Sequence, residues 1–117
     1  MPNQHTNKAI VLFEETPVRR KWVEKEEKWY FSIVDVITVL TESKDPSGYI
    51  KDMKRRDEGI SEGWGQIATP LVLETKGGPQ KVNCAHVEDI FRIIQSIPSK
   101  KAEPFKLWLA KVGYERI

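Results

Sequence analysis

The sequence predicts a single α+β domain, on the strength of three observations. The chain has 117 residues, 39% of them hydrophobic and 31% charged, which is enough for one core and lies outside the range of disordered chains. Segments typical of strands precede and separate segments whose apolar residues recur at helical spacing. The resulting order is β-β-β-α-α-β-β-α-α, a small antiparallel sheet with about four helices.

The N-terminal part of the chain predicts a strand followed by a β-hairpin. Residues 1–7 are polar and are expected to be flexible, so we expect the domain to span residues 8–117. An apolar run of strand length covers residues 9–13. Residues 18–24 then alternate in the manner of a strand, and a short charged turn separates them from the aromatic run 28–31.

The next segment, residues 32–40, carries opposing signals. Its many β-branched side chains favour a strand, whereas Ser32 and Asp35 have a spacing similar to that of a capping box, with an acid at the start of a helix. We predict a buried helix.

A second helix is predicted to begin at Asp45-Pro46 and to end before Gly59. Asp45 is a suitable N-cap, Pro46 suits the first helical position, and Gly59 suits the position after the helix. One side of this helix is apolar and carries Tyr49, Ile50 and Met53. The opposite side carries Lys51, Lys54 and Arg55.

The second half of the chain predicts a loop, a hairpin and two helices. Residues 59–69 contain three glycines around Trp64 and are interpreted as a loop. Residues 71–75 and 80–83 flank Lys76-Gly77-Gly78-Pro79 and predict a second hairpin. Two apolar stripes at helical spacing follow. The stripes comprise Val87, Ile90, Phe91 and Ile94, and then Phe105, Trp108, Leu109 and Val112.

Composition excludes several classes of protein. The net charge of +2 is too small for a polybasic protein, and the single cysteine, Cys84, excludes an internal disulfide framework and fits a reducing compartment. No stretch approaches the 18 or so apolar residues of a membrane helix, and the start of the chain is unlike a secretory signal. We expect a cytoplasmic protein of a bacterial or phage-infected cell, with no membrane partner.

Catalytic and metal-binding motifs are missing from the sequence. The two histidines and one cysteine lack the spacing of a zinc site, and no phosphate-binding glycine loop or nucleophile elbow is present. Cys84 and His86 resemble a nucleophile and its base, but a core cysteine beside a helix start is the favoured interpretation. We predict a protein that is not an enzyme and uses no cofactor or metal.

Local positive charge is the main functional signal. Four cations fall within six residues and are suited to contact phosphates, namely Lys51, Lys54, Arg55 and Arg56. A solvated surface face balanced by Asp52, Asp57 and Glu58 is an equally open interpretation. Further candidate DNA contacts are Lys76, Lys81, Lys100 and Lys101. For the turn that carries Lys76 and Lys81, a solvated hairpin tip is the favoured alternative to a turn that enters a DNA groove. The run Arg19-Arg20-Lys21 is instead expected to decorate the first hairpin.

The four tryptophans are expected to play different parts. Trp22, Trp29 and Trp108 lie on periodic apolar faces, which favours packing in the core over stacking on bases. Trp64 lies among glycines, and two alternatives stay open for it: an exposed anchor for a protein partner, or a lid over the core.

Two ordered segments resemble a known family. Residues 28–36, KWYFSIVDV, resemble the W-F-x-x-x-D-V segment of the BRO family N-terminal (Bro-N) domain. Residues 97–109, IPSKKAEPFKLWL, are similar to its S-x-x-P-x-A-x-x-F-x-x-W ending, with Ala102, Phe105 and Trp108 as landmarks. The resemblance covers about residues 8–116. The chain departs from the family at residues 85–91 and 37–40.

The resemblance implies an α+β DNA-binding module of phage or prophage antirepressors, often followed by a variable C-terminal domain. We therefore expect the chain to be a fragment or a minimal version of such a protein. Asp35, Phe105 and Trp108 are implied to determine the fold rather than to contact DNA.

Two hypotheses of function follow. The first is a non-enzymatic DNA-binding domain of an antirepressor-type transcription regulator, which contacts the phosphates of duplex DNA. The alternative is a protein-interaction module that binds a repressor protein or associates with itself, for example through Trp64 or an apolar patch.

Overall fold

The computed structural model describes residues 8–115, so the predicted flexible segment 1–7 lies outside the described residues, as do residues 116–117. Within this range the chain forms five strands and five helices, which confirms the α+β class with one helix more than predicted. The strands are β1 (Ile10–Phe13), β2 (Thr16–Val23), β3 (Lys28–Ser32), β4 (Thr69–Thr75) and β5 (Gly78–His86). The helices are α1 (Ile33–Thr41), α2 (Pro46–Arg56), α3 (Glu58–Ile67), α4 (Val87–Gln95) and α5 (Ala102–Val112).

The five strands form one antiparallel sheet in the order β1-β2-β3-β5-β4. β3 pairs with β5 over a short stretch that reaches Ser32 opposite Cys84, so most of the β4–β5 hairpin extends beyond β3. This hairpin bends toward β2, where Lys21 Nζ donates to the carbonyl of Val72 at 3.1 Å. β2 and β4 are therefore in contact although they are not neighbours in the sheet.

Both predicted hairpins are confirmed. The first has its turn at residues 24–27, between β2 and β3. The second is tighter than predicted, because Gly78 and Pro79 already pair with β4 and the turn consists of Lys76 and Gly77. Gly78 has φ +95°, a value that glycine adopts without strain.

The main core joins the five helices to the inner face of β1, β2 and β3. Its aromatic centre is the ring of Phe13, which stacks on Phe105 at 5.3 Å between centroids and meets Trp108 edge-on at 5.6 Å. Trp29 is buried, and Trp22 and Trp108 are partly buried against the same core, as predicted. The family landmarks Phe105 and Trp108 thus hold α5 against the sheet.

Residues 33–41 form the predicted helix α1 despite their β-branched side chains. Ser32 is the N-cap and its Oγ accepts the backbone N–H of Asp35 at 3.3 Å. Five of the nine helical side chains are buried, and this burial outweighs the modest propensity against helix.

The prediction of a loop at residues 59–69 is wrong, because this segment contains α3. Asp57 caps the helix, since its Oδ1 accepts the N–H of Ile60 at 3.1 Å. Ile60 and Ile67 are buried seven residues apart, which is the spacing of a helix face. Gly59 therefore lies inside α3 and does not follow α2, which has Asp57 as its C-cap.

Two of the three glycines that suggested a loop, Gly59 and Gly63, lie against Arg92 of α4. Arg92 on α4 donates from Nη2 to the carbonyl of Gly59 at 2.8 Å. A Cβ atom at Gly63 would lie 3.2 Å from Arg92 Nη1, closer than ordinary contact. The missing side chain at Gly63 lets the guanidinium lie against the helix backbone, whereas a Cβ at Gly59 would lie at an ordinary contact distance of 3.6 Å from Arg92 Nη2.

The prediction that Arg19 and Arg20 decorate the first hairpin is also wrong. Arg20 is 1% exposed, and its Nη1 donates to the Val112 carbonyl at 2.9 Å and to Glu115 Oε1 at 2.7 Å. Its guanidinium carbon lies 3.7 Å from the centroid of the Trp29 ring. Arg19 is paired with Asp35 in the first turn of α1. Both arginines hold the fold together.

Candidate nucleic-acid interface

The candidate interface is centred on α2, whose two sides differ as predicted. Asp45 Oδ1 accepts the N–H of Gly48 at 3.0 Å and Pro46 is the first helical residue, so the start of the helix is fixed locally. Met53 is buried, and Tyr49 and Ile50 pack against the core. The last turn carries three cations, which suit the negative end of the helix dipole.

Lys51 and Arg55 are the exposed cations of this helix that lie one turn apart. Both are exposed, and residues at i and i+4 are neighbours on a helix surface, roughly 6 Å apart. Arg55 Nη1 lies 3.5 Å from Asp52 Oδ1, but both side chains are largely in solvent, at 78% and 64% exposure. A pair of this kind is weak and exchanges readily with another anion.

Lys54 and Arg56 are held by uncharged groups. Lys54 Nζ lies 5.0 Å from the centroid of the Trp64 ring. Arg56 Nη2 donates to the Tyr49 hydroxyl at 3.1 Å and to the Ser96 carbonyl at 3.3 Å. These contacts orient the two side chains and leave their positive charge without a carboxylate partner within residues 8–115.

The three acids that were expected to balance these cations behave differently from one another. Asp52 pairs with Arg55. Asp57 is directed to α3 and α4: it caps α3, and its Oδ2 accepts a hydrogen bond from the Ser96 hydroxyl. This bond and the backbone N–H groups lower the pKa of Asp57. Glu58 is exposed in the first turn of α3. The basic side of α2 therefore keeps a local excess of positive charge.

The hairpin cations form a second group. Lys76 lies in the turn and Lys81 lies on β5 opposite Val72, and both are exposed. Lys21 was not selected from the sequence, yet its ammonium group reaches the Val72 carbonyl. The sequence did contain a signal for this position. Lys21 and Val23 lie on the same face of β2, and Val23 packs against the β4–β5 hairpin.

The two lysines before α5 have different surroundings. Lys100 is exposed in the turn that precedes the helix. Lys101 Nζ lies 3.7 Å from a carboxylate oxygen of Glu14 and 3.7 Å from one of Glu42. Lys101 therefore has two weak, partly exposed ion pairs within the chain, unlike Lys100.

The predicted site residues thus fall in three parts of the fold. α2 packs chiefly on α1 and α3, the β4–β5 hairpin on β2 and β3, and α5 on α4 and β1. The four cations of α2 form the densest of the three groups.

Trp64 lies on α3 and not in a loop. Its side chain is partly buried against the main core, and one ring face is covered by Lys54. This position is closer to the lid interpretation than to a protruding anchor.

A cleft beside the turn of the β2–β3 hairpin is acidic and therefore unsuited to binding phosphates. It lies between the β2–β3 turn and the end of α5, and Trp22, Trp29 and Tyr114 form part of its lining. The acidic lining residues are Glu26, Glu27, Glu88 and Glu115. Lys28 also lines this cleft, and Lys25 lies in the adjacent turn. Both are exposed cations that lie away from α2.

Cys84 has the properties of a core residue, as predicted. It is fully buried, and burial raises the pKa of its thiol to about 12, opposite to the shift that activates a nucleophile. His86 Nε2 lies 3.1 Å from Asp89 Oδ2, and its ring meets the edge of Tyr30. Residues 8–115 contain no group of three or more His, Cys, Asp or Glu side chains able to hold a metal ion. In the same part of the chain, no helix has the length and apolar character needed to cross a bilayer.

The fold and its surface define a small α+β domain with a basic helix. Residues 17–113 match the family model described as BRO family, N-terminal domain, and this match covers most of the chain. The chain therefore belongs to the BRO family through its N-terminal (Bro-N) domain, which confirms the resemblance seen in residues 28–36 and 97–109. No curated protein and no solved structure matches the chain.

Proposed function

We propose that this chain is the DNA-binding domain of a phage- or prophage-derived antirepressor-type transcription regulator, and that it acts without catalysis inside a bacterial or phage-infected cell. The basic side of α2 is the single observation that carries the proposal. It holds three of the four cations of the helix and one acid, its apolar side is fixed in the core, and its cations face solvent or the Trp64 ring. Arg56, the fourth cation, lies beside Tyr49 at the edge of the apolar side. Membership of the BRO family supports the same assignment.

The proposed contact is electrostatic and made to the DNA backbone. Lysine and arginine side chains that neutralise phosphates release counterions, so affinity falls steeply as salt rises. Lys51 and Arg55 are the first candidates because they are exposed and adjacent on the helix surface. Lys76, Lys81 and Lys100 are supporting contacts, whereas Lys101 is a weaker candidate because Glu14 and Glu42 lie beside it.

A salt titration with matched variants tests this proposal. Affinity for a random-sequence duplex is measured at several salt concentrations for the parent, for K51Q/R55Q, and for K25Q/K28Q. Both variants lose two exposed cations, so their net charge is the same. The slope of log affinity against log salt is negative. We expect K51Q/R55Q to make this slope shallower by about two, roughly one for each lost phosphate contact, and K25Q/K28Q to change it little.

Two outcomes contradict the proposal. If K51Q/R55Q binds duplex DNA as the parent does, α2 is not the contact surface. If the parent shows no salt-dependent binding to DNA, the alternative of a module that binds a repressor protein is favoured. A further variant, K76Q/K81Q, measures the share of the hairpin in binding.

A further inference from the structure

Among residues 8–115, the backbone groups on the outer edge of β1 have no hydrogen-bond partner. The Arg20 N–H donates to the Ala9 carbonyl at 2.8 Å, and Val11 lies opposite Val18. Because backbone groups in an antiparallel ladder alternate in direction, those of Ala9 and Val11 face β2. The N–H and C=O groups of Ile10 and Leu12 therefore point away from the sheet, where β1 is the terminal strand.

The side chains at this edge are apolar and exposed. Ile10 is 52% exposed and Leu12 is 59% exposed, and both project from the same face because they are two residues apart. Proteins usually protect an edge strand with a charge, a proline or a bulge within it. The four residues of β1, IVLF, include neither a charged residue nor a proline.

Charges lie just beyond the two ends of this strand and differ in sign. Lys8 precedes β1, and Glu14 and Glu15 follow it, all exposed. Glu14 forms a weak ion pair with Lys101 at 3.7 Å, and 56% of its side chain stays exposed. An antiparallel alignment of two copies brings the positive end of each strand to the negative end of the other. A parallel alignment brings like charges together.

We propose that β1 is a pairing surface for a second copy of this chain, with the two β1 strands antiparallel about a two-fold axis at Val11. In this register Ile10 lies opposite Leu12 of the second copy, and the outward backbone groups of both residues exchange hydrogen bonds. Lys8 of each copy then lies near the turn that follows β1 in the other copy, which carries Glu14 and Glu15. The interface is isologous, since each copy contributes the same strand.

The dimer is expected to be weak. A strand of four residues buries less than the roughly 1,200 Å² of a standard interface, which places the contact among transient associations. The proportion of dimer should therefore rise with protein concentration within the range used for biophysical measurements.

Sedimentation equilibrium of the full chain without DNA tests the proposal. We expect the average mass of the parent to rise toward that of a dimer with concentration, and L12K to remain monomeric. V72K is the matched control, because Val72 is an exposed apolar residue on the other edge strand, β4. It should associate as the parent does.

Charge reversal tests the antiparallel alignment. K8E and E14K each place like charges at both ends of the paired strands, so each should weaken association. The double variant K8E/E14K restores opposite charges and should restore the dimer. Loss of association in the double variant to the same extent as in the single variants overturns the alignment.

Cross-linking tests the register. In the proposed dimer, the Val11 residues of the two copies lie opposite each other at a non-hydrogen-bonded position. Cα atoms at such a position are about 4.5 Å apart, within the range that a disulfide spans. V11C should form a cross-linked dimer under mild oxidation, and I10C should do so far less. A parent that is monomeric up to its solubility limit overturns the proposal, as does a dimer that L12K leaves intact. Neither result bears on DNA binding, because no DNA is present.

Discussion

Asp35 receives three hydrogen bonds from Arg19, which joins the first turn of α1 to β2. Its Oδ2 accepts the backbone N–H at 2.9 Å and Nε at 2.8 Å, and its Oδ1 accepts Nη2 at 2.9 Å. The two side chains are 17% and 24% exposed, and donation to the carboxylate raises the pKa of Arg19. Arg19 Nη1 also reaches the Glu74 carbonyl at 3.1 Å, so one guanidinium links α1, β2 and β4.

This pair should contribute measurably to stability. We expect D35A to lower the free energy of unfolding by about 1.5–3 kcal/mol, because it leaves a partly buried guanidinium and a backbone N–H without their acceptor. D52A is the matched control. It removes the exposed partner of Arg55 and should change stability by less than about 0.5 kcal/mol. Urea unfolding measures both, and equal effects of the two variants would contradict the structural role of Asp35.

Arg20 should be more costly to remove than its neighbour Lys21. Burial lowers the pKa of Arg20 from its ordinary value, which shows the cost of placing this charge beneath the sheet, and the charge is offset by Glu115, by two carbonyls and by the Trp29 ring. We expect R20A to cost about 2–4 kcal/mol, since a large buried side chain is removed and the buried Val112 carbonyl loses its donor. K21A, at an exposed position of the same strand, should cost much less. Similar unfolding midpoints for both variants would argue against a buried Arg20.

The domain should lose stability at alkaline pH. Burial raises the pKa of Cys84 and of Tyr30 to about 12, and the Tyr30 hydroxyl also donates to Glu26 at 2.8 Å. Both groups ionise at lower pH in the unfolded chain, at about 8.5 for cysteine and about 10 for tyrosine. Their stabilising contribution is therefore complete below those values and is lost as the pH rises toward 12.

The free energy of unfolding should fall by at most about 1.4 kcal/mol per pH unit for each of the two groups, Cys84 and Tyr30. C84A should flatten the curve of stability against pH above about pH 8.5, and Y30F should flatten it above about pH 10. Urea unfolding across this range measures the curves. A parent whose stability is constant between pH 9 and 12 would contradict the burial of both groups.

Elements with local signals could be predicted from the sequence, and features that depend on distant partners could not. Alternation, turn residues and apolar stripes predicted both hairpins, α4 and α5, and Ser32 with Asp35 predicted α1 against its β-branched composition. α3 was missed because its glycines were interpreted as breakers. Two of these glycines, Gly59 and Gly63, lie against Arg92, which is 33 residues beyond Gly59.

The candidate site shows the same division. The amphipathic pattern of α2 was sufficient to predict its buried Met53 and its basic side. The contact of Arg56 with Tyr49, seven residues away, is also a helical spacing that a sequence can show. The position of Lys54 over Trp64 required the path of α3, and the burial of Arg20 required Glu115, which is 95 residues away.

Two glycines should respond to alanine in opposite directions, and this contrast tests both α3 and the end of α5. Gly65 lies inside α3 with no atom within 4 Å of the position of a Cβ, so G65A should stabilise the domain by about 0.5–1 kcal/mol through helix propensity. Gly113 is the C-cap of α5, and a Cβ there would overlap Val87 Cγ2. Because a β-branched side chain packed at a helix start has little freedom to move, G113A should destabilise by about 1–3 kcal/mol. Thermal unfolding measures both signs. A destabilising G65A would return residues 59–69 to the loop that their glycines suggest, and a neutral G113A would mean that α5 ends farther from Val87 than the structure places it.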